Sequence, residues 1–97
     1  MHVPSHPDAD IELEEAAFYY EKCSAGLGDD FIEDFERTIE QIVSSPTRYR
    51  KVHGNIRQLR LNRFPFNVVY EMYEGDIYIL AVAHIRRRPF YWSQRYP

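Results

Sequence analysis

Seven consecutive residues, Ile77-Tyr78-Ile79-Leu80-Ala81-Val82-Ala83, carry no charged or amide side chain. This run constrains the fold more than any other segment. It is far shorter than the ~20 residues that span a bilayer, so it reads as a strand. A strand that is apolar on both faces is usually central in its sheet and covered on both sides, which calls for a layer on each face. Glu74-Gly75-Asp76 ahead of the run supplies a hairpin turn from a preceding strand over Phe66 to Tyr73, where Phe66, Val68, Tyr70 and Met72 share one side. Ile56 to Leu61 alternates as well, placing Arg57, Leu59 and Leu61 on one face and Gln58 and Arg60 on the other. Continued alternation predicts one face for Tyr78, Leu80, Val82 and His84.

The first half of the chain has the other period. Ser5-His6-Pro7-Asp8 has the form of a capping box, and Leu13, Ala16, Ala17 and Tyr20 then recur at helical spacing with glutamates on the remaining faces. A turn at Gly26-Leu27-Gly28 leads to Asp29-Asp30, acidic residues suited to the first turn of a second helix. Phe31, Phe35, Ile39 and Ile42 mark its apolar stripe, and Ser44-Ser45-Pro46 stops it. The expected fold is α+β: an N-terminal helical hairpin packed on a small, mainly antiparallel sheet of three to four strands, with His2 to Pro4 available as a short edge strand. Ninety-seven residues fit one domain, 1–97.

Charge divides with the fold. Residues 1–45 hold twelve acidic residues against Lys22 and Arg37, whereas residues 46–97 hold ten Lys and Arg against Glu71, Glu74 and Asp76. The second half therefore offers a cationic surface to nucleic acid or to an acidic protein, unless the two halves largely neutralise each other. A single cysteine, Cys23, forms no internal disulfide and four scattered histidines make no metal-ligand pattern, so neither a metal nor a cofactor is expected. With no basic-then-apolar leader at Met1-His2-Val3-Pro4, the expected location is cytoplasmic, away from membranes.

The segment after the apolar run, His84-Ile85-Arg86-Arg87-Arg88-Pro89-Phe90-Tyr91-Trp92-Ser93-Gln94-Arg95, mixes cations with aromatics in a way that suits phosphate contact and stacking. The same aromatics also suit packing back onto the open sheet face. Semi-buried Arg57 calls for a partner, either a helix carboxylate or a C-terminal carbonyl.

In order and spacing, Arg57-x-x-x-Leu61, Phe64-Pro65-Phe66-x-Val68-x-Tyr70, Ile77-x-Ile79-Leu80-x-Val82-x-His84 and Arg87-x-Pro89-x-Tyr91-Trp92 resemble the RelE/ParE toxin superfamily of bacterial type II toxin–antitoxin modules, the plasmid stabilisation type. Glu12-Leu13-x-Glu15-Ala16, Tyr19-Tyr20-Glu21 and Gly26-Leu27-Gly28 agree in the helical part. The resemblance implies a growth-inhibiting toxin bound and silenced by a cognate antitoxin in a hetero-oligomer. It leaves two targets: DNA gyrase in the ParE-like branch, and mRNA on the ribosome in the RelE-like branch, whose members are metal-independent endoribonucleases. A non-toxic relative that serves as a binding module is a third possibility. For a nuclease the candidate catalytic set is Arg57, Arg60, His84 and Tyr91, with cations to stabilise the phosphorane and His84 or Tyr91 to move protons. Target binding falls to Arg63, Arg86, Arg87, Arg88, Trp92 and Arg95. Ile85 stands where RelE-like enzymes are often basic, and a strand-end histidine followed by an arginine-rich turn looks more ParE-like.

Overall fold

A computed structural model describes residues 3–95. Two helices, α1 (Pro7–Cys23) and α2 (Leu27–Ser44), precede four strands, β1 (Arg50–His53), β2 (Ile56–Arg60), β3 (Phe66–Tyr73) and β4 (Asp76–His84). Each strand pairs antiparallel with the next, in the order β1-β2-β3-β4. This is the expected α+β arrangement. Among the described residues no helix is long and apolar enough to cross a membrane.

The capping of α1 differs from expectation by one residue. His6 is the N-cap, its Nδ1 accepting from the Asp8 amide at 3.0 Å. Ser5 is drawn away by the sheet, where it bridges Ile79 in parallel register, and its hydroxyl donates to Asp10 at 2.5 Å. The proposed leading strand is therefore only this isolated bridge, and His2 lies outside the described residues. The turn between the helices is as short as expected, and two glycines make it possible. Gly26 adopts φ 87°, a left-handed conformation that favours glycine. At Gly28 a Cβ would stand 2.6 Å from the Ala17 carbonyl oxygen, so the close crossing of α1 and α2 excludes a side chain there. Glu21 fixes this corner by accepting from the amides of Gly26 and Gly28, which occupy the start of α2.

The sheet separates two apolar clusters. Toward the helices, Phe31 and Ile42 of α2 and Ala9 and Ala16 of α1 pack with Val68, Tyr70, Ile79 and Val82. On the opposite face lie Ile56, Val69, Leu80, Ala81, Ala83 and Trp92. The double-sided covering required by the apolar run is thus present, but β4 is not flanked by two strands. It ends the four-strand order, and its outer edge is closed by other means: Ile79 bonds Pro4 and His6 through its backbone, and the Val82 amide donates to the Glu12 carboxylate at 3.0 Å. Alternation along β4 is also broken. Val69 faces Ala81 whereas Tyr70 faces Ile79, so Leu80 is the extra residue of a bulge. As a result Tyr78 and Leu80 join the second cluster and Val82 the first, and His84 turns its ring onto Phe66 at 5.1 Å. The four do not share a face.

Strand β1 lies within Thr47 to Gly54, a polar and basic stretch without the apolar alternation of a strand. An edge strand needs few apolar residues, and β1 carries a bulge between Lys51 and His53 with basic, exposed side chains, features that discourage further strand pairing.

Asp34 ties α2 to the β2–β3 loop. It sits on the apolar stripe three residues after Phe31 and is 3% exposed. Its carboxylate accepts from the amides of Asn62 (3.2 Å), Arg63 (2.8 Å) and Phe64 (3.2 Å). Substituting Asp34→Ala strands these amides away from water, and equilibrium denaturation is expected to show a loss of about 3 kcal/mol. A loss below about 1 kcal/mol would mean that the loop finds other acceptors.

Candidate functional site

Beyond β4 the chain turns back across the sheet as an arm, residues 85–95. Its internal backbone bonds are short turns, from Arg87 to His84, Ser93 to Phe90 and Arg95 to Trp92. Two contacts hold it. Trp92, 5% exposed, fills the second apolar cluster. Glu12 of α1 gathers the polar groups: Tyr91 Oη donates to Oε2 at 2.7 Å, while Arg95 donates from Nη1 to Oε1 at 2.9 Å and from Nη2 to Oε2 at 3.0 Å. Arg95 Nη1 also reaches the Leu80 carbonyl at 3.2 Å. The guanidinium of Arg87 lies 3.8 Å from the centre of the Tyr91 ring, and its Nη1 is 4.0 Å from Glu12 Oε2. Tyr91 is thus stacked by Arg87, approached by Arg95 and bonded to a carboxylate. Burial pushes its phenol above the ordinary tyrosine range and Glu12 adds to this, against the pull of the two arginines.

Between the arm and β1 runs a groove of about 280 Å³ with Arg50, Lys51, Arg87 and Arg88 on its walls and Gln58 and Asn67 within. Among the described residues no acidic side chain lines it. Phe90 stands at its border, 49% exposed and at φ 62°, a left-handed conformation that is costly for an aromatic residue.

The sequence-derived candidates fall on different surfaces. Arg57 is on the helix side, where Nη1 donates to the Tyr49 carbonyl at 2.9 Å; its partner is therefore a carbonyl of the α2–β1 connector, and Nε is buried without a partner. His84 accepts the Arg86 amide at Nδ1, 3.1 Å, and so closes the turn after β4. Arg60, exposed, points from the arm side of β2, and Tyr91 is bound to Glu12. Arg57 thus stands on the helix side of the sheet and Arg60 and Tyr91 on the arm side, while His84, at the end of β4, rests its ring on Phe66 and also borders the groove beside the arm. Among the target-binding candidates, Arg63 pairs with Asp30 at 3.2 Å beside the β2–β3 loop, Trp92 is buried and Arg95 is engaged by Glu12. Arg86 and Arg88 are exposed and form no ion pair with a described residue. Glu12 was not among the candidates. Its signal in the sequence is slight, one glutamate among several on an acidic helix, and its role depends on an arm more than seventy residues away.

A second groove, about 770 Å³, opens where the start of α1 and the end of α2 diverge. Leu13, Phe35, Ile39, Val43 and Ile79 line it, with Asp10, Glu36 and Glu40 at its margins. Ile11, Phe18 and Tyr19 of α1 are exposed large apolar side chains. Among the described residues no group of His, Cys, Asp and Glu could hold a metal ion.

The fold is thus a helical hairpin on an antiparallel sheet, with a basic arm folded over the far face. The chain belongs to the ParE toxin family of type II toxin-antitoxin systems: the family model for the ParE toxin of parDE matches residues 5–89. A chain of the chromosomal ParDE TA system from P. aeruginosa superposes with a TM-score of 0.65 over 89% of this chain and 97% of that one, at 18% sequence identity, which shows the shared fold. No curated protein matches the chain.

Tyr91 remains protonated where an ordinary tyrosine titrates, at 10.0. Its contribution to stability is complete below that pH and is lost as pH rises beyond it, because the unfolded chain releases the proton first. Spectrophotometric titration of the folded protein and of Tyr91→Phe is therefore expected to count the same number of phenols ionising in the ordinary range. One extra ionisation there in the wild type would contradict the Glu12 bond.

Proposed function

We propose that this protein is a growth-inhibiting toxin that acts in the cytoplasm on DNA gyrase through its arm and the adjoining basic groove, and that a cognate antitoxin neutralises it. The observation that carries this reading is the state of the candidate nuclease residues. Metal-free RNA cleavage needs a general base or acid and clustered cations around one phosphate. Arg57 is committed to the Tyr49 carbonyl on the helix side, His84 to the turn after β4, and the Tyr91 hydroxyl donates to Glu12. What remains available is a set of cations that form no ion pair with a described residue: Arg50, Lys51, Arg60, Arg86 and Arg88. Such a surface suits contact with an acidic partner better than it suits bond cleavage.

The antitoxin fits the other side of the molecule. The groove between the diverging ends of α1 and α2 is apolar within and acidic at its margins, which favours a segment whose apolar side chains are flanked by Lys or Arg. Exposed Ile11 and Phe18 lie on the opposite side of α1 from Ala9 and Leu13 and do not belong to this groove.

Expression without the antitoxin is expected to arrest growth, and the purified protein to inhibit supercoiling by gyrase without cutting translated mRNA. Arg86→Glu with Arg88→Glu relieves both effects while stability changes by no more than about 0.5 kcal/mol per site, because neither side chain is paired. Codon-dependent cleavage seen by primer extension and abolished by Tyr91→Phe would replace this reading with the ribosome-dependent nuclease.

A further inference from the structure

Glu12 is the only residue of the helical hairpin whose side chain hydrogen-bonds to the arm among the described residues. It is also largely shielded, with its side chain 12% exposed. We infer that Glu12 is the positioning residue of the arm: the carboxylate on α1 sets where Arg87, Tyr91 and the chain between them lie, and so sets the shape of the basic groove offered to the target. The inference rests on the proposed role of the arm in target binding.

The arm has no strand or helix of its own; among the described residues, apart from the turn bonds of the Arg86 and Arg87 amides to His84, its backbone reaches the rest of the fold through one bond, from the Ile85 amide to the Pro65 carbonyl. Apolar burial of Trp92 fixes its depth but not its direction, since hydrophobic contact is non-directional. Direction comes from the bidentate pairing of Arg95 with Glu12, in which two parallel N–H···O bonds define a plane. The Tyr91 hydroxyl adds a third bond to the same carboxylate, and the ring it orients is the surface on which Arg87 lies. The Val82 amide anchors the carboxylate in turn to the edge of β4. Without Glu12, Arg95 keeps only the Leu80 carbonyl and a distant Asp8 carboxylate at 3.9 Å, and Arg87 loses the platform that orders it.

Positioning and simple charge attraction predict opposite signs. Replacing Glu12 by Gln removes a negative charge beside a basic groove, so attraction alone would strengthen binding to an acidic target. Loss of position weakens it.

The sole tryptophan, Trp92, reports the arm directly. In Glu12→Gln the Trp92 emission is expected to shift to longer wavelength and its acrylamide quenching to rise about twofold, with far-UV circular dichroism unchanged, as an apolar side chain gains water while the core stays packed. Inhibition of gyrase supercoiling is expected to weaken about tenfold, the loss of one charge-assisted contact. Glu14→Gln, the same charge change on an exposed position of the same helix, leaves both readouts at wild type. Arg95→Gln, which keeps Glu12 bonded to Tyr91 and Val82, moves Trp92 in the same direction by a smaller amount and tests the inference should Glu12→Gln fail to fold. Unchanged Trp92 quenching in the folded variants would overturn the hold of Glu12 on the arm, and equal or stronger gyrase inhibition by Glu12→Gln would overturn positioning in favour of charge. A wild-type protein without effect on gyrase would refute the target assignment, while the fluorescence still judges the role of Glu12 in placing the arm.

Discussion

A strand that is apolar on both faces, placed at the end of a sheet, has to be enclosed on three sides, and β4 is enclosed in this way. The helical hairpin covers one face through Ile79 and Val82, and the arm covers the other through Leu80, Ala81 and Ala83. The bulge at Leu80 gives successive residues of β4 to different layers. At its outer edge, buried backbone groups still need partners. The segment before α1 supplies them at Ile79, Glu12 at the Val82 amide and Arg95 at the Leu80 carbonyl. Edge closure and arm placement therefore involve the same two side chains.

The opposed charges of the two halves are partly consumed within the molecule. Asp34 holds the β2–β3 loop, Asp30 pairs with Arg63, and Glu12 takes Arg95 with Arg87 nearby. These contacts differ in weight. The exposed Asp30–Arg63 pair contributes little, as surface pairs do, whereas the shielded groups at Glu12 and Asp34 would be costly to leave alone. Once the internal pairs are set aside, most of the remaining cations collect on the arm and the β1 side of the sheet and most of the remaining carboxylates stay on the helices, with Lys22 on α1 and Glu71, Glu74 and Asp76 of the β3–β4 hairpin as exceptions. The result is a polar molecule with one face suited to an acidic target and another suited to a cationic, apolar segment.

Local pattern was enough to place both helices and three of the strands. Phe31, Ile42, Val68 and Tyr70 lie in the core as their periodicity requires, and β3 runs over Phe66–Tyr73 as read from the sequence. Local pattern failed where the decisive partner is distant. Ser5 looks like a cap until Ile79 binds Pro4 and His6 on either side of it, and β1 is too polar to show itself without β2 beside it. The bulge at Leu80 is invisible because alternation and its interruption read alike in a wholly apolar run. Asp34 left a trace, a carboxylate three residues after Phe31 on an apolar stripe, whereas Glu12 left almost none. The resemblance carried by the ordered motifs supplied the superfamily, yet which arginines are free and which are spent on the fold emerged only from the packing.

The central claim is that the arm and β1 form the surface that meets the target, while the helical hairpin is left for the antitoxin. Hydrogen–deuterium exchange of the whole chain, with and without purified gyrase holoenzyme, tests it most directly. The account predicts new protection across residues 85–95 and at Arg50–His53, with α1 and α2 exchanging as in the free protein. Protection confined to α1 and α2 would contradict it.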